Sequence, residues 1–275
     1  MKLQSCNKYK LLRIFVRQFK KMRSDTCLLC GKVAELSMAS HIIPKFMYKG
    51  MEDGRNKIGV TILKNEIKTD TEIDYRYFDK DILCLNCETV KLSQLDGYGN
   101  RVLFGNQKIN DSFKATVFEY PEIKLCVIEN FDYSKFNLFL LSVLWRAHIS
   151  KHIFFENINL DRRAENIREA ILTKNHELCN DVKISMFGLM FNRDKLYKTV
   201  VKPRHIITET LDIYSFMIHG IVYNFVYKDH SNTFHLGENI LQPNQPLKIP
   251  FYLGSDAANF FKAFVLPKGD SLVND

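Results

Sequence analysis

The stretch Cys27-Leu28-Leu29-Cys30, continued by Ser40-His41-Ile42-Ile43-Pro44-Lys45 and closed by Cys84-Leu85-Asn86-Cys87-Glu88, decides how this chain is read. Two Cys-x-x-Cys pairs in one chain match the ligand arithmetic of a four-thiolate zinc site, in which each pair grips one side of the metal. Cys27, Cys30, Cys84 and Cys87 are therefore expected to hold a structural zinc ion. Gly31 permits the tight turn of a zinc knuckle, whose backbone amides point back at the thiolates. Between the pairs, His41 sits in an apolar, β-favouring run that a purely structural zinc knuckle does not require. It is the residue that turns a fold signal into a functional one.

Outward from this stretch, the composition sets bounds. A chain of 275 residues with 46% hydrophobic residues is long enough to bury its own core without needing metal on account of size. Phe136 to Ile149 is the longest apolar run, and Arg146 and His148 interrupt it, so a membrane span is not expected. Cys6, Cys126 and Cys179 remain outside the pairs, an odd set that fits a reducing cytoplasm better than a disulfide framework. The formal net charge of +8 is local. Lys2, Lys8, Lys10, Arg13, Arg17, Lys20, Lys21 and Arg23 fall in residues 1–23 with no acidic residue, so the rest of the chain sums to zero. Such a block marks either a nucleic-acid or anionic-surface contact, through counterion release from phosphates, or a solvated helix face.

Leu11, Leu12, Phe15, Phe19 and Met22 recur at three- and four-residue steps, which predicts a basic amphipathic helix over 1–24. Leu36 to Phe46 reads as a strand ending near Pro44, with His41 close to its end. Residues 48–78 read as a loop with one or two short strands. A helix is expected to begin at the second cysteine pair and to stop before Gly97 or Gly99.

The order of knuckle, strand with histidine, hairpin and cysteine-bearing helix resembles the ββα-metal core of the HNH endonuclease family over residues 25–100. The resemblance rests on Cys27, Cys30, the Ser40-His41-Ile42-Ile43-Pro44 run, Leu83-Cys84-x-x-Cys87 and Glu88. It implies that the four-cysteine zinc is structural, that a separate divalent ion, magnesium or manganese, serves catalysis, and that His41 is the general base on water. Phosphodiester hydrolysis needs both parts. Imidazole deprotonates water near neutral pH, and a hard cation absorbs charge developing on the phosphate. Three places depart from the family pattern: Ser40 stands where an acidic or histidine ligand is common, Glu88 where a histidine is usual, and Asp79 and Asp81 where an asparagine normally precedes the second cysteine pair. Glu88 offers oxygen to a hard cation, and Asp81 is a candidate for the missing carboxylate. Glu88 is also explained by the helix N-terminus alone, since an acidic residue there complements the dipole.

Beyond residue 100, strands are expected in 104–127 and buried helices in Phe131–Ser150 and Asp161–Lys174, with Trp145 in the core. His148 and His152, four apart, are expected to be exposed or capping. From Val182 the pattern is β, with Gly220 as a bulge or bend in a run from Tyr214 to Tyr227, and a short helix over Ser255–Phe264 closes the chain. The expected architecture is α+β. It comprises the basic helix, a treble-clef or ββα-metal zinc module over 25–115, and a larger helix-plus-antiparallel-sheet domain over 125–275. The functional expectation is a metal-dependent endonuclease acting on DNA, with Lys10, Arg13, Arg17, Lys20, Lys21 and Lys45 on the phosphate backbone. Resemblance further implies a setting in restriction or phage defence. The alternative is a catalytically silent zinc scaffold that binds nucleic acid or a protein, the latter through the C-terminal domain. The sequence leaves the oligomeric state open.

Overall fold

The computed structural model describes residues 23–51, 57–64, 66–74, 78–105, 111–229 and 239–265. The expected basic helix, with Lys10, Arg13, Arg17, Lys20 and Lys21, lies outside the described residues. Within them the chain is mixed α and β, with a ten-stranded sheet, two small two-stranded ribbons and four α-helices.

The first ribbon pairs β1 (Ser24–Thr26) with β2 (Val33–Glu35) around the first cysteine pair. The second pairs β3 (Ser40–His41) with β6 (Phe78–Asp79), so that Ser40 faces Asp79 and His41 faces Phe78. The strand expected over Leu36–Phe46 is thus reduced to two residues. After Pro44 the chain turns into a 3-10 helix, Lys45–Tyr48, because proline withdraws a ladder donor and presets the φ of a helical start.

Residues expected to form a loop with short strands instead form a long hairpin, β4 (Lys57–Lys64) and β5 (Glu66–Asp74). It joins the large sheet. β4 pairs parallel to β11 (Val200–Ile207), at Val60 opposite Val200 and Thr61 opposite Val201. The sheet runs β5-β4-β11-β12-β13-β9-β14-β8-β7, with β10 (Lys195–Leu196) beside β9 (Lys183–Asn192). Here β7 is Lys114–Glu119, β8 is Ile123–Glu129, β12 is Leu211–Ile218, β13 is Ile221–Asp229 and β14 is Leu247–Tyr252. Strands from both sides of the division expected between 115 and 125 therefore share one sheet.

The run from Tyr214 to Tyr227 is not one bent strand. His219 and Gly220 both take positive φ (52° and 70°), the signature of a two-residue turn that folds β12 back on β13. A Cβ on Gly220 would lie 2.8 Å from the Tyr197 nitrogen, so backbone packing also demands glycine there. Pro203 sits inside β11, where the register to β12 shifts between Val201 and Arg204, the kind of irregularity that tolerates a missing donor.

After a wide π-type turn over Cys87–Leu92, helix α1 runs Ser93–Phe104. It passes through Gly97 and Gly99 and ends at Gly105, whose φ of 69° suits a left-handed cap. Helix α2 (Tyr133–Ile149) starts where the Asp132 carboxylate accepts the Lys135 amide at 3.0 Å, and it buries twelve of its residues, Trp145 among them. Helices α3 (Arg163–Thr173) and α4 (Gly254–Val265) match the expected helices within a residue or two. α2 is the central pillar: Leu140 and Val143 meet Met47 of the 3-10 turn and Phe216, Ile218, Tyr223 and Phe225 of the sheet around one small apolar gap. One buried cluster consequently extends from Cys27 to Ile249. Among the described residues, no helix is long and apolar enough to cross a membrane.

Candidate metal centre and histidine site

The cysteines come together as their spacing predicts. The Sγ atoms of Cys27, Cys30, Cys84 and Cys87 all lie within 4.8 Å of one another, with Cys30 and Cys84 at 3.9 Å. A tetrahedral zinc with bonds of about 2.3 Å sets sulfur–sulfur edges of roughly 3.8 Å, so the quartet has the dimensions of a four-thiolate site. Gly31 at φ 70° closes the first knuckle, and its amide donates to the Cys27 carbonyl at 2.8 Å. The Leu28 amide donates to the Ile82 carbonyl, and Leu36 bridges to Cys84, which locks the two cysteine pairs against each other. The Cys84 amide points at the Cys27 sulfur at 3.3 Å.

Without an ion, burial pushes the Cys27 and Cys87 thiols up. Burial acts the same way on Cys30, but the Lys32 amide and the neighbouring cysteines outweigh it and draw that thiol down. A buried set of this kind is stable as thiolates when a cation neutralises it, which is the chemistry of a structural metal site. A guanidinium also faces it. Arg168 of α3 donates to the Leu29 carbonyl in the middle of the knuckle at 2.7 Å and lies within electrostatic reach of Cys30.

His41 lies on the neighbouring ribbon, half-buried, with its ring 6.4 Å from that of Phe78. Glu88, the residue after the last cysteine, reaches back to it: the His41 amide donates to Glu88 Oε1 at 3.3 Å. Burial raises the Glu88 carboxyl above the ordinary carboxylate range, opposed by the Arg146 guanidinium, the Ser40 hydroxyl and the His41 amide. Ser40 is fully buried. Its Oγ and Glu88 Oε2 are both shielded from solvent, and neither forms a hydrogen bond of normal geometry with the described residues. Buried polar atoms of this sort are ordinarily satisfied by a ligand, an ion or water.

The structure brings Ser40, His41 and Glu88 together. Asp81 is exposed, in a left-handed bend at φ 58°, with its amide donating to the Ser37 carbonyl. Among the described residues the four cysteines are the one group of three or more His, Cys, Asp or Glu side chains gathered around a single point, so Asp81 does not complete a cluster with His41 and Glu88. Lys45 is exposed on the 3-10 turn that follows His41. His152 caps the 3-10 helix Ile153–Phe155, its Nδ1 accepting the Phe154 amide at 3.1 Å, whereas His148, half-buried in the last turn of α2, accepts the Leu160 amide at 3.2 Å.

Two charged side chains near His41, Arg146 and Asp96, have no role that spacing or resemblance assigns, and a third, Asp79, stands where the resembled family has asparagine. Arg146, 1% exposed, projects from α2 and donates to the His41 carbonyl at 3.1 Å. It also forms a two-pronged pair with Asp96 of α1, at 2.7 and 3.1 Å. Asp79, opposite Ser40, accepts the Lys151 amide just past the end of α2 at 2.9 Å. The available signal for Arg146 was a single cation inside an otherwise apolar helix, which demands a buried partner. No protein-family model, no curated protein and no solved structure matches the chain.

Proposed function

We propose that this chain is an HNH-type, metal-dependent endonuclease that hydrolyses phosphodiester bonds of DNA, built on a treble-clef or ββα-metal module with a structural zinc in the cysteine quartet. The observation that carries the reading is the convergence of Ser40, His41 and Glu88. A histidine on an antiparallel ribbon and a carboxylate at the head of the following helix meet beside a four-cysteine site, where the buried Ser40 Oγ and Glu88 Oε2 lie together without a hydrogen bond of normal geometry.

Those two oxygens also test whether a hard cation fits. Glu88 Oε2 and Ser40 Oγ offer oxygen donors, and magnesium or manganese commonly takes one or two protein oxygens and completes its shell with water and substrate phosphate. When bound, such an ion supplies positive charge to the phosphate under attack. His41 supplies the base: its imidazole accepts the proton of the attacking water. Glu88 holds the His41 amide and so fixes the strand that presents the ring. Lys45, exposed one turn later, would meet a phosphate of the bound strand, and the basic block of 1–23 would add positive charge for the backbone.

The test is incubation of supercoiled plasmid with the protein and magnesium or manganese. Nicking or linearisation is expected, lost in His41→Ala while zinc content stays at one ion per chain. Undiminished cutting by His41→Ala would remove His41 from the reaction, and no cutting by the wild-type chain would remove the reading itself.

A further inference from the structure

Arg146 stands out among the charged side chains because it is almost wholly enclosed yet belongs to neither the cysteine quartet nor the Ser40–His41–Glu88 group. It lies in the last turn of α2, the helix at the centre of the large sheet's packing. Its Nε and Nη2 donate to the carbonyl and hydroxyl of Ser142 one turn earlier, both at 3.1 Å. The rest of the guanidinium is turned out of its own helix toward the cysteine-bearing half of the chain. Nη1 is shared between the His41 carbonyl and Asp96, both at 3.1 Å, and Nη2 takes the other Asp96 oxygen at 2.7 Å. The planar fork is thus saturated by fixed acceptors, an arrangement that a flexible lysine reproduces only in part.

The positions of those acceptors give the arginine its meaning. The His41 carbonyl belongs to the same residue whose amide is held by Glu88, so both backbone polar groups of His41 are fixed, one from the helix after the cysteines and one from α2. The opposite strand of the ribbon is held from the same end of α2, through Asp79 and the Lys151 amide. Asp96 holds the guanidinium in the plane that reaches His41 and balances its charge.

We infer that Arg146 is a positioning residue for His41, oriented by Asp96, and that α2 thereby makes the C-terminal half of the chain part of the His41 site. The inference rests on the reading of His41 as the working base. Arg146 acts through the main chain of the strand, and it reaches the reaction by fixing where the imidazole stands relative to Glu88. Displacing a catalytic group by about 1 Å is enough to cost on the order of 100-fold in rate.

The experiment compares the full-length wild type with Arg146→Lys, Arg146→Met and Asp96→Asn, each assayed for zinc content, for plasmid cleavage resolved into kcat and KM, and for the NMR signals of 15N-labelled histidine. In Arg146→Met, kcat is expected to fall about 100-fold with KM little changed. Arg146→Lys should recover part of the loss, and Asp96→Asn should lose less than Arg146→Met. The amide and ring signals of His41, assigned with His41→Gln, should move in all three while those of His205, 22% exposed on the far sheet strand, stay in place. Arg146→Met that keeps its zinc, its His41 signals and its kcat overturns the inference. A mere packing role would lower thermal stability and leave the His41 signals and the kcat of the folded protein unchanged. If Arg146→Met does not fold, the same readouts on Arg146→Lys and Asp96→Asn decide it. If the wild type does not cut DNA, the endonuclease reading fails, and unmoved His41 signals in the variants then count against the positioning role independently.

Discussion

Gly99→Ala gives the most direct test of how α1 is set against α2. Gly99 is buried in the middle of α1, and a Cβ built on it would lie 2.5 Å from Cδ1 and Cε1 and 2.7 Å from Cγ of Phe139. Ordinary carbon–carbon contacts are about 3.5–4.0 Å, so one partner must retreat by roughly 1 Å. The ring has little room to do so, since Phe139 is fully buried with Phe46 and Phe136 centred 5.6 and 5.9 Å away. Two effects oppose each other. Alanine in a helix interior gains about 1 kcal/mol over glycine, whereas overpacking of a tight core costs about 1–3 kcal/mol. A clash with a hemmed-in aromatic ring belongs at the upper end, which leaves a net loss of about 2 kcal/mol. With a urea dependence of about 3 kcal/mol per molar, the unfolding midpoint should fall by roughly 0.7 M at unchanged slope. Because Asp96 lies one turn before Gly99, the displaced helix should also disturb the Arg146 pair. A midpoint equal to or above the wild type would refute the close-approach argument, because propensity alone would then have decided the outcome.

Two other perturbations separate the contributions of the C-terminal half. Arg168→Gln removes the donor to the Leu29 carbonyl and the positive charge facing Cys30, and zinc should pass to a competing chelator about 10–100-fold more readily, as colorimetric zinc release reports. Asp212→Asn should cost about 1–3 kcal/mol in denaturant unfolding, because a nearly buried carboxylate that accepts Arg163 at 2.6 Å and His205 at 2.9 Å loses its charge. Burial pushes the Asp212 carboxyl up, but Arg163 and His205 outweigh it and hold it below the usual range. A depressed value in the fold means that its stabilisation is complete above the unfolded value of about 3.9 and disappears as pH falls through the folded one. The acid limb of the stability profile should therefore be shallower in Asp212→Asn than in the wild type.

The cysteine quartet was legible because metal chemistry writes itself into spacing, independent of the rest of the fold. The helices α2, α3 and α4 were legible for a different reason: their apolar residues repeat at a helical period regardless of what they pack against. The end of α1 was misplaced because glycine was read as a breaker, whereas Gly99 is where α1 and Phe139 come too close for any side chain. The His219–Gly220 turn was missed because a two-residue turn in a continuous apolar run leaves only the glycine to announce it. In the site, His41 and Glu88 were nameable from their place beside the cysteines. Arg146 was visible as an interruption in an apolar run, but its acceptors at 96 and 41 lie 50 and 105 positions away, and periodicity carries no information at that range.

The parallel contact between β4 and β11 has a consequence for the order in which the chain can assemble. The hairpin that carries β4 lies inside the loop closed by the cysteine quartet, and its partner at Val200 is synthesised 140 positions after Val60. At about 5–20 residues per second, ribosomal synthesis separates the two by roughly 7–28 s. Cys84 and Cys87 emerge early in that interval, so a metal ion held by the four cysteines would close the loop while the hairpin's outer edge still has no strand to pair with. An open edge invites pairing with other chains. Cells starved of zinc, or making the chain faster than it can be completed, should accumulate it as aggregate through that edge, whereas a chain that captures its metal early holds the hairpin in place for its partner.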